Sequence, residues 1–227
     1  VTTPVSVETA GGDLAGDLVL PDSVRGVVVF AHGSGSSRHS SRNRAVAEIL
    51  RQDGFAALLL DLLTAEEEER DIRTAELRFD IDLLATRVVA AIDQLDLWRP
   101  AHAWDAADPP PLGLFGASTG AAAALVAAAQ RPDQVRAVVS RGGRPDLAGR
   151  ALVRVRAPTL LIVGGRDEQV LDLNLRAGDA LAAPHRLDVV PGATHLFPEP
   201  GALEEVARLA ADWFGQHLVG RSAPARG

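Results

Sequence analysis

The stretch Leu112–Gly120 reads L-G-L-F-G-A-S-T-G and runs on into four alanines. An apolar run therefore meets a Gly-x-Ser-x-Gly turn and then an alanine-rich helix. The pentapeptide is common by chance, and its strand–turn–helix setting gives it meaning. A serine on so tight a turn is forced into a strained backbone conformation that lifts its hydroxyl above the sheet. Ser118 is thus the candidate nucleophile, set against the plainer reading of a Gly/Ser loop in which Ser118 only caps the next helix. Serine at its free pKa attacks poorly and needs a neighbouring base. P-G-A-T-H-L-F supplies His195 just past the last expected strand, and G-G-R-D-E-Q-V supplies Asp167 to orient that imidazole. His195 as an ordinary loop residue, and Asp167 as a turn residue with Glu168 the actual acid, are the competing readings.

Acyl chemistry also needs two backbone N–H groups aimed at a developing oxyanion. Thr119, after the nucleophile, offers one. The segment His32-Gly33-Ser34-Gly35 offers the other, through Ser34 with Gly35 as the alternative; His32 itself reads as a brace for the loop rather than a base. Gly35 and Arg141 are the candidate substrate contacts. Arg141, in S-R-G-G-R-P-D, suits a substrate carboxylate, since guanidinium pairs such groups in bidentate fashion; an internal ion pair supporting its loop is the alternative. The same glycine-rich loop, with Asp61 ending the next strand, partly fits a dinucleotide fingerprint. Arg38 stands where the third glycine should be, and two strands already precede the loop, so a nucleotide site is not expected.

The absences narrow the chemistry further. The 227 residues include no Cys, Met or Tyr, and all 23 basic residues are Arg. Thiolate nucleophiles, disulfides, Schiff bases and a phosphate-loop lysine are thereby excluded. No histidine pair has metal-ligand spacing, and neither a metal nor a cofactor is expected. His39, His102, His185 and His217 read as structural or solvated. The net charge of −7 argues against nucleic acid or an anionic membrane surface as partner. No apolar run approaches the roughly 20 residues of a membrane span. The first residues lack the basic start and apolar stretch of a signal peptide, so a cytoplasmic location is the expectation. The length suits one domain over residues 1–220, with a frayed tail over 221–227.

The elements that must position these residues alternate. Strands are expected at Val5–Thr9, Leu14–Leu20, Gly26–Ala31, Ala56–Leu62, in the run before Ser118, and at Val135–Ser140, Thr159–Val163 and Arg186–Val190. Helices are expected at about Arg42–Asp53, Ile81–Leu97, Thr119–Gln130, Val170–Ala182 and Ala202–His217. Glu66–Glu69 read as a solvated face or loop in an excursion over Thr64–Phe79. Alternating strands and helices give an α/β fold, a mostly parallel sheet covered on both faces. Reactive groups in such sheets collect at the carboxyl ends of strands, where every candidate above falls.

The order Ser, Asp, His and the stretches H-G-S-G-S-S-R-H-S, G-L-F-G-A-S-T-G, S-R-G-G-R-P-D-L, G-G-R-D and G-A-T-H-L-F resemble the α/β-hydrolase superfamily along nearly the whole chain. Within it the sequence most resembles the small dienelactone-hydrolase-like proteins, including those fused to phosphoribosyltransferases. The resemblance implies an eight-stranded sheet with its second strand antiparallel and a hydrolytic Ser–His–Asp triad. Authentic dienelactone hydrolases use cysteine where this chain has Ser118, so their substrate is not carried across. The segment after the sixth strand is too short for a multi-helix lid, which favours small or short-chain esters. The expected activity is ester hydrolysis of a small-molecule substrate through an acyl-enzyme. Thioester, lactone or amide cleavage by the same triad, or non-catalytic ligand binding, are the alternatives.

Overall fold

A computed structural model describes residues 2–98, 103–105 and 107–220. His102 and the tail expected over 221–227 lie outside the described residues. Eight strands form one sheet: β1 (Thr2–Val7), β2 (Leu14–Val19), β3 (Gly26–Ala31), β4 (Phe55–Leu60), β5 (Leu112–Ala117), β6 (Val135–Arg141), β7 (Thr159–Gly164) and β8 (His185–Val190). Their order is β1-β2-β4-β3-β5-β6-β7-β8. β2 runs antiparallel to both neighbours, and every pairing from β4 to β8 is parallel. This is the α/β-hydrolase arrangement that the resemblance implied.

β3, β4, β5 and β7 are buried along their whole length, which is why they read as unbroken apolar runs rather than alternating ones. Successive side chains serve opposite faces. Val27, Val29 and Ala31 pack with helices α3 (Ile81–Asp93) and α5 (Thr119–Gln130). Val28 and Phe30 pack with α1 (Ser41–Gln52) and α7 (Ala202–Val219) on the other side. The alanines of α5 let its backbone lie close to the sheet, and Ala121–Ala124 are fully buried. Helix α6 (Glu168–Ala180) follows β7, and a 3-10 segment, Pro145–Arg154, occupies the connection from β6 to β7.

Three expectations shift. β1 begins at Thr2 and ends at Val7, because Pro4 is tolerated on an edge strand that pairs only with β2. Thr9 belongs to the turn instead, where Gly12 N–H donates to its carbonyl at 3.1 Å. The helix expected to reach Leu97 stops at Asp93. Gln94 caps it and clamps the β1 end, its side chain accepting from Glu8 N–H at 3.0 Å and donating to Glu8 O at 2.6 Å; a short helix α4 (Leu95–Trp98) follows.

The acidic excursion is a helix, α2 (Ala65–Thr74), rather than a loop. Thr64 and Glu67 form a reciprocal capping box, and the first-turn glutamates complement the helix dipole. Glu67 also pairs with buried Arg87 at 2.6 Å. Asp71, 1% exposed, accepts from the N–H groups of Leu77 at 2.7 Å and Arg78 at 3.1 Å, and pairs with the Arg78 guanidinium at 2.7 Å. The excursion is tied to the body by the Glu67–Arg87 pair and by Leu77 packed against the core, while Asp71 and Arg78 close it on itself.

Phe214 of α7 is fully buried in the face beneath β5, its ring 6.2 Å from that of Phe55. Phe214→Ala should lower the unfolding free energy by about 3–5 kcal/mol, read from urea denaturation, since the close-packed strands above cannot collapse into the void.

Candidate active site

Ser118 sits between β5 and α5 with φ 51 and ψ −122, a region L-residues rarely occupy. Its side chain makes no capping hydrogen bond to α5, so the plain N-cap reading does not describe this serine. The turn is held by close approach. A Cβ on Gly120 would overlap the carbonyl oxygens of Ala31 and His32, and one on Gly116 would overlap the Ala121 backbone. These are the two positions flanking the serine where the motif has glycine.

His195 lies after β8, beyond the strand end at Val190. Its Nδ1 is 2.6 Å from Asp167 Oδ2, and Asp167 lies after β7. Asp167 rather than Glu168 thus meets the imidazole, leaving Nε2 for the side facing the cavity. The His195 loop is a tight turn: Phe197 N–H donates to Thr194 O at 3.1 Å, and Phe197 itself has φ 56 with its ring buried. Glu199 fastens the turn through Thr194, accepting from its N–H at 3.1 Å and its hydroxyl at 2.8 Å.

Ser118, His195, Ser34 and Arg141 line one open cavity of about 230 Å³. Thr119 opens α5, so its N–H has no acceptor within the helix. On the opposite side, Ser36 N–H donates to Gly33 O at 3.2 Å, closing a turn that leaves the Ser34 and Gly35 N–H groups without an acceptor in that turn. Gly33 presses on the nucleophile turn, since a Cβ there would lie 3.0 Å from Ser118 Cβ. Gly35 departs from expectation. It lines a separate small hollow with His32, Asp71 and Arg78, and a Cβ there would stand 3.6 Å from the Arg78 guanidinium.

His32 is 7% exposed and braces the loop: Nδ1 donates to Gly33 O at 2.9 Å and Nε2 accepts from Leu62 N–H at 3.1 Å. Both ring nitrogens are engaged in the neutral form. Burial holds the His32 pKa below its ordinary 6.5, outweighing the opposing pull of the Gly33 carbonyl and the Asp61 and Glu68 charges. Asp61 is occupied by Arg38, whose backbone N–H it accepts at 2.6 Å and whose guanidinium it also pairs. The residue that a dinucleotide reading would assign to a ribose is therefore already engaged in fixing the loop.

Arg141 ends β6 and is 5% exposed. Among the described residues it forms no ion pair with a carboxylate, contrary to the internal ion pair that was the alternative; its guanidinium instead donates to Asn43 Oδ1 at 3.1 Å and lies over the Phe197 ring. Burial first, and then the charge of Arg42, push its pKa down to about 10. Arg42, Asn43 and Ser40 of α1 and its cap share the cavity and escaped the sequence reading. Ser40 as an N-cap was a readable signal; the direction in which α1 points was not. Among the described residues no group of three or more His, Cys, Asp or Glu could hold a metal ion, and no helix is long and apolar enough to cross a membrane.

Comparison with known proteins adds the lineage. The profile of the Dienelactone hydrolase family matches residues 14–218. A protein of Mycobacterium tuberculosis (strain ATCC 25618 / H37Rv) that carries the provisional name phosphoribosyl transferase is 58% identical over 211 residues, covering 91% of this chain and 44% of the relative. The chain thus spans less than half the length of the curated relatives it matches. A dienelactone hydrolase from Anabaena variabilis ATCC 29413 superposes with a TM-score of 0.90 at 56% identity, covering 96% of this chain and 98% of that one. Est1E from Butyrivibrio proteoclasticus, at 16% identity and a TM-score of 0.76 over 96% of this chain and 99% of its own, shares the fold.

The brace at His32 has a pH signature. Protonation puts a second N–H against that of Leu62, so the folded state binds this proton less readily than the unfolded chain. The stabilisation is full above the ordinary pKa of 6.5 and is lost as pH falls from there through the lowered folded value. Urea unfolding at pH 7.5 and at pH 5.5 should show a steeper decline for the native protein than for His32→Gln.

Proposed function

The chain belongs to the Dienelactone hydrolase family, and from that premise we propose that it is a serine hydrolase cleaving small or short-chain carboxylic esters through an acyl-enzyme. The observation that carries this reading is the strained Ser118, whose side chain makes no capping hydrogen bond, in one cavity with an imidazole held at 2.6 Å by Asp167. His195 Nε2 takes the hydroxyl proton as Ser118 Oγ attacks the acyl carbon. The carbonyl oxygen becomes an oxyanion facing the N–H groups of Thr119 and Ser34. Collapse breaks the bond to the alcohol oxygen, which receives the proton from His195. Water, deprotonated by the same nitrogen, then attacks the acyl-enzyme, and the carboxylic acid leaves with Ser118 restored. Asp167 keeps Nδ1–H donating toward itself and stabilises the imidazolium.

The short 3-10 connection after β6 supports a small substrate, because it leaves the cavity uncapped. A lactone is the second reading, favoured by the name of the Anabaena relative. Its ring-opening uses the same steps, with the alcohol remaining attached to the product.

Ser118→Ala should abolish hydrolysis of p-nitrophenyl acetate and stoichiometric labelling by a fluorophosphonate, while the native protein shows both. Asp167→Asn should lower kcat by roughly 10⁴, as loss of the orienting acid does in serine triads. A folded native protein that resists labelling and leaves esters, thioesters and lactones intact would instead be a ligand-binding member of the fold.

A further inference from the structure

The cavity beside Ser118 carries more positive charge than ester cleavage requires. Two guanidiniums line it, Arg141 from the end of β6 and Arg42 from the first turn of α1, and no carboxylate lines it with them. Arg141 is 5% exposed, yet its charge meets only uncharged groups, the Asn43 side chain and the Phe197 ring 6.0 Å away. The Nε atoms of both arginines are buried without a hydrogen-bond partner. Neither guanidinium pairs with an acidic side chain among the described residues. Most other arginines that reach inward are paired: Arg38 with Asp61, Arg78 with Asp71 and Arg87 with Glu67.

The same wall presents the start of a helix. α1 has 12 residues and no acidic residue in its first turn, so the positive end of its dipole is left uncompensated. Ser40 caps it by accepting from Asn43 N–H, and Ser36 and Ser40 line the cavity beside the arginines. Helix N-terminus, hydroxyls and the two guanidiniums are the kinds of donor that a tetrahedral oxyanion takes.

We propose that this wall is an anion subsite and that the ester hydrolysed at Ser118 carries a phosphoryl group bound there. The proposal rests on the reading of Ser118 as nucleophile. Charge favours phosphoryl over carboxylate: two unpaired guanidiniums and a helix N-terminus are neutralised by a dianion, whereas a carboxylate leaves a buried positive charge uncompensated. Its oxygens would also outnumber those of a carboxylate in meeting Nε, hydroxyl and N–H donors spread over three segments.

Inorganic phosphate should compete with p-nitrophenyl acetate at a concentration at least ten-fold lower than acetate, at constant ionic strength. Arg42→Gln should raise the phosphate inhibition constant ten-fold or more. Two phosphorylated short esters, one with phosphate on the alcohol side and one on the acyl side, should be compared with a neutral ester of equal length. At least one should exceed the neutral ester ten-fold in kcat/KM, and Arg42→Gln should collapse that ratio. Phosphate acting no better than chloride, acetate acting better than phosphate, or both phosphorylated esters trailing the neutral one would overturn the proposal. Fluorophosphonate labelling of the same preparation keeps the two questions apart. A labelled protein with no phosphate effect loses only the subsite, and an unlabelled one loses the hydrolase reading beneath it.

Discussion

The close seating of the β5–α5 turn against the end of β3 is the constraint on which the site depends. Gly120 has the carbonyls of Ala31 and His32 against it, and Gly33 has Ser118 Cβ against it, so the two loops form one packed unit. Neither can move without the other. The backbone strain at Ser118, of order 1–3 kcal/mol, persists because β5 and the alanines of α5 are buried around it. The β3 loop is held from its far side by His32 reaching the β4 end and by Arg38 on Asp61. The position of the Ser34 N–H relative to Ser118 is therefore a property of the core, not of a free loop.

Much of this was legible because it follows from local chemistry. Ser118 and Asp167 each stand just beyond a run of apolar residues long enough for a buried strand, His195 follows the mixed strand β8, and parallel sheets put such ends on one edge. The capping signature Thr64-x-x-Glu67 was equally present in the sequence, but the run of glutamates around it reads as solvated charge. Its helical outcome depends on Arg87 arriving from α3 to pair with Glu67, and on Arg78, just past the helix, folding back onto Asp71. The end of the helix at Asp93 likewise depends on Gln94 meeting Glu8, 86 residues away in sequence. Arg141 is the clearest case. Sequence left substrate contact and internal ion pair open, because a partner's absence is a fact about every side chain that folding brings near.

The acidic balance of the chain makes the basic cavity more informative. With a net charge of −7 there are carboxylates to spare, and they serve other arginines: Asp93 holds Arg131 at 2.5 Å and Asp17 holds Arg44 at 2.5 Å. Among the described residues none is spent on Arg141. The residue type matters as well. A buried lysine escapes desolvation by losing its proton, whereas Arg141, even lowered to about 10, keeps its charge at neutral pH. The cavity is consequently basic under all ordinary conditions.

Two departures from ordinary protein chemistry thus occur side by side: a non-glycine residue at φ 51 and a buried guanidinium without a carboxylate. They are joined through the sheet itself. Ala117 and Arg141 are register partners on β5 and β6, and Ser118 N–H donates to Arg141 O at 3.3 Å. The backbone bond that ends one ladder therefore ties the turn carrying the serine to the strand end carrying the arginine. Native chains break local rules where function compensates the cost elsewhere. Two such breaks tied by one backbone hydrogen bond fit the proposal that a single molecule meets both the serine and the guanidinium.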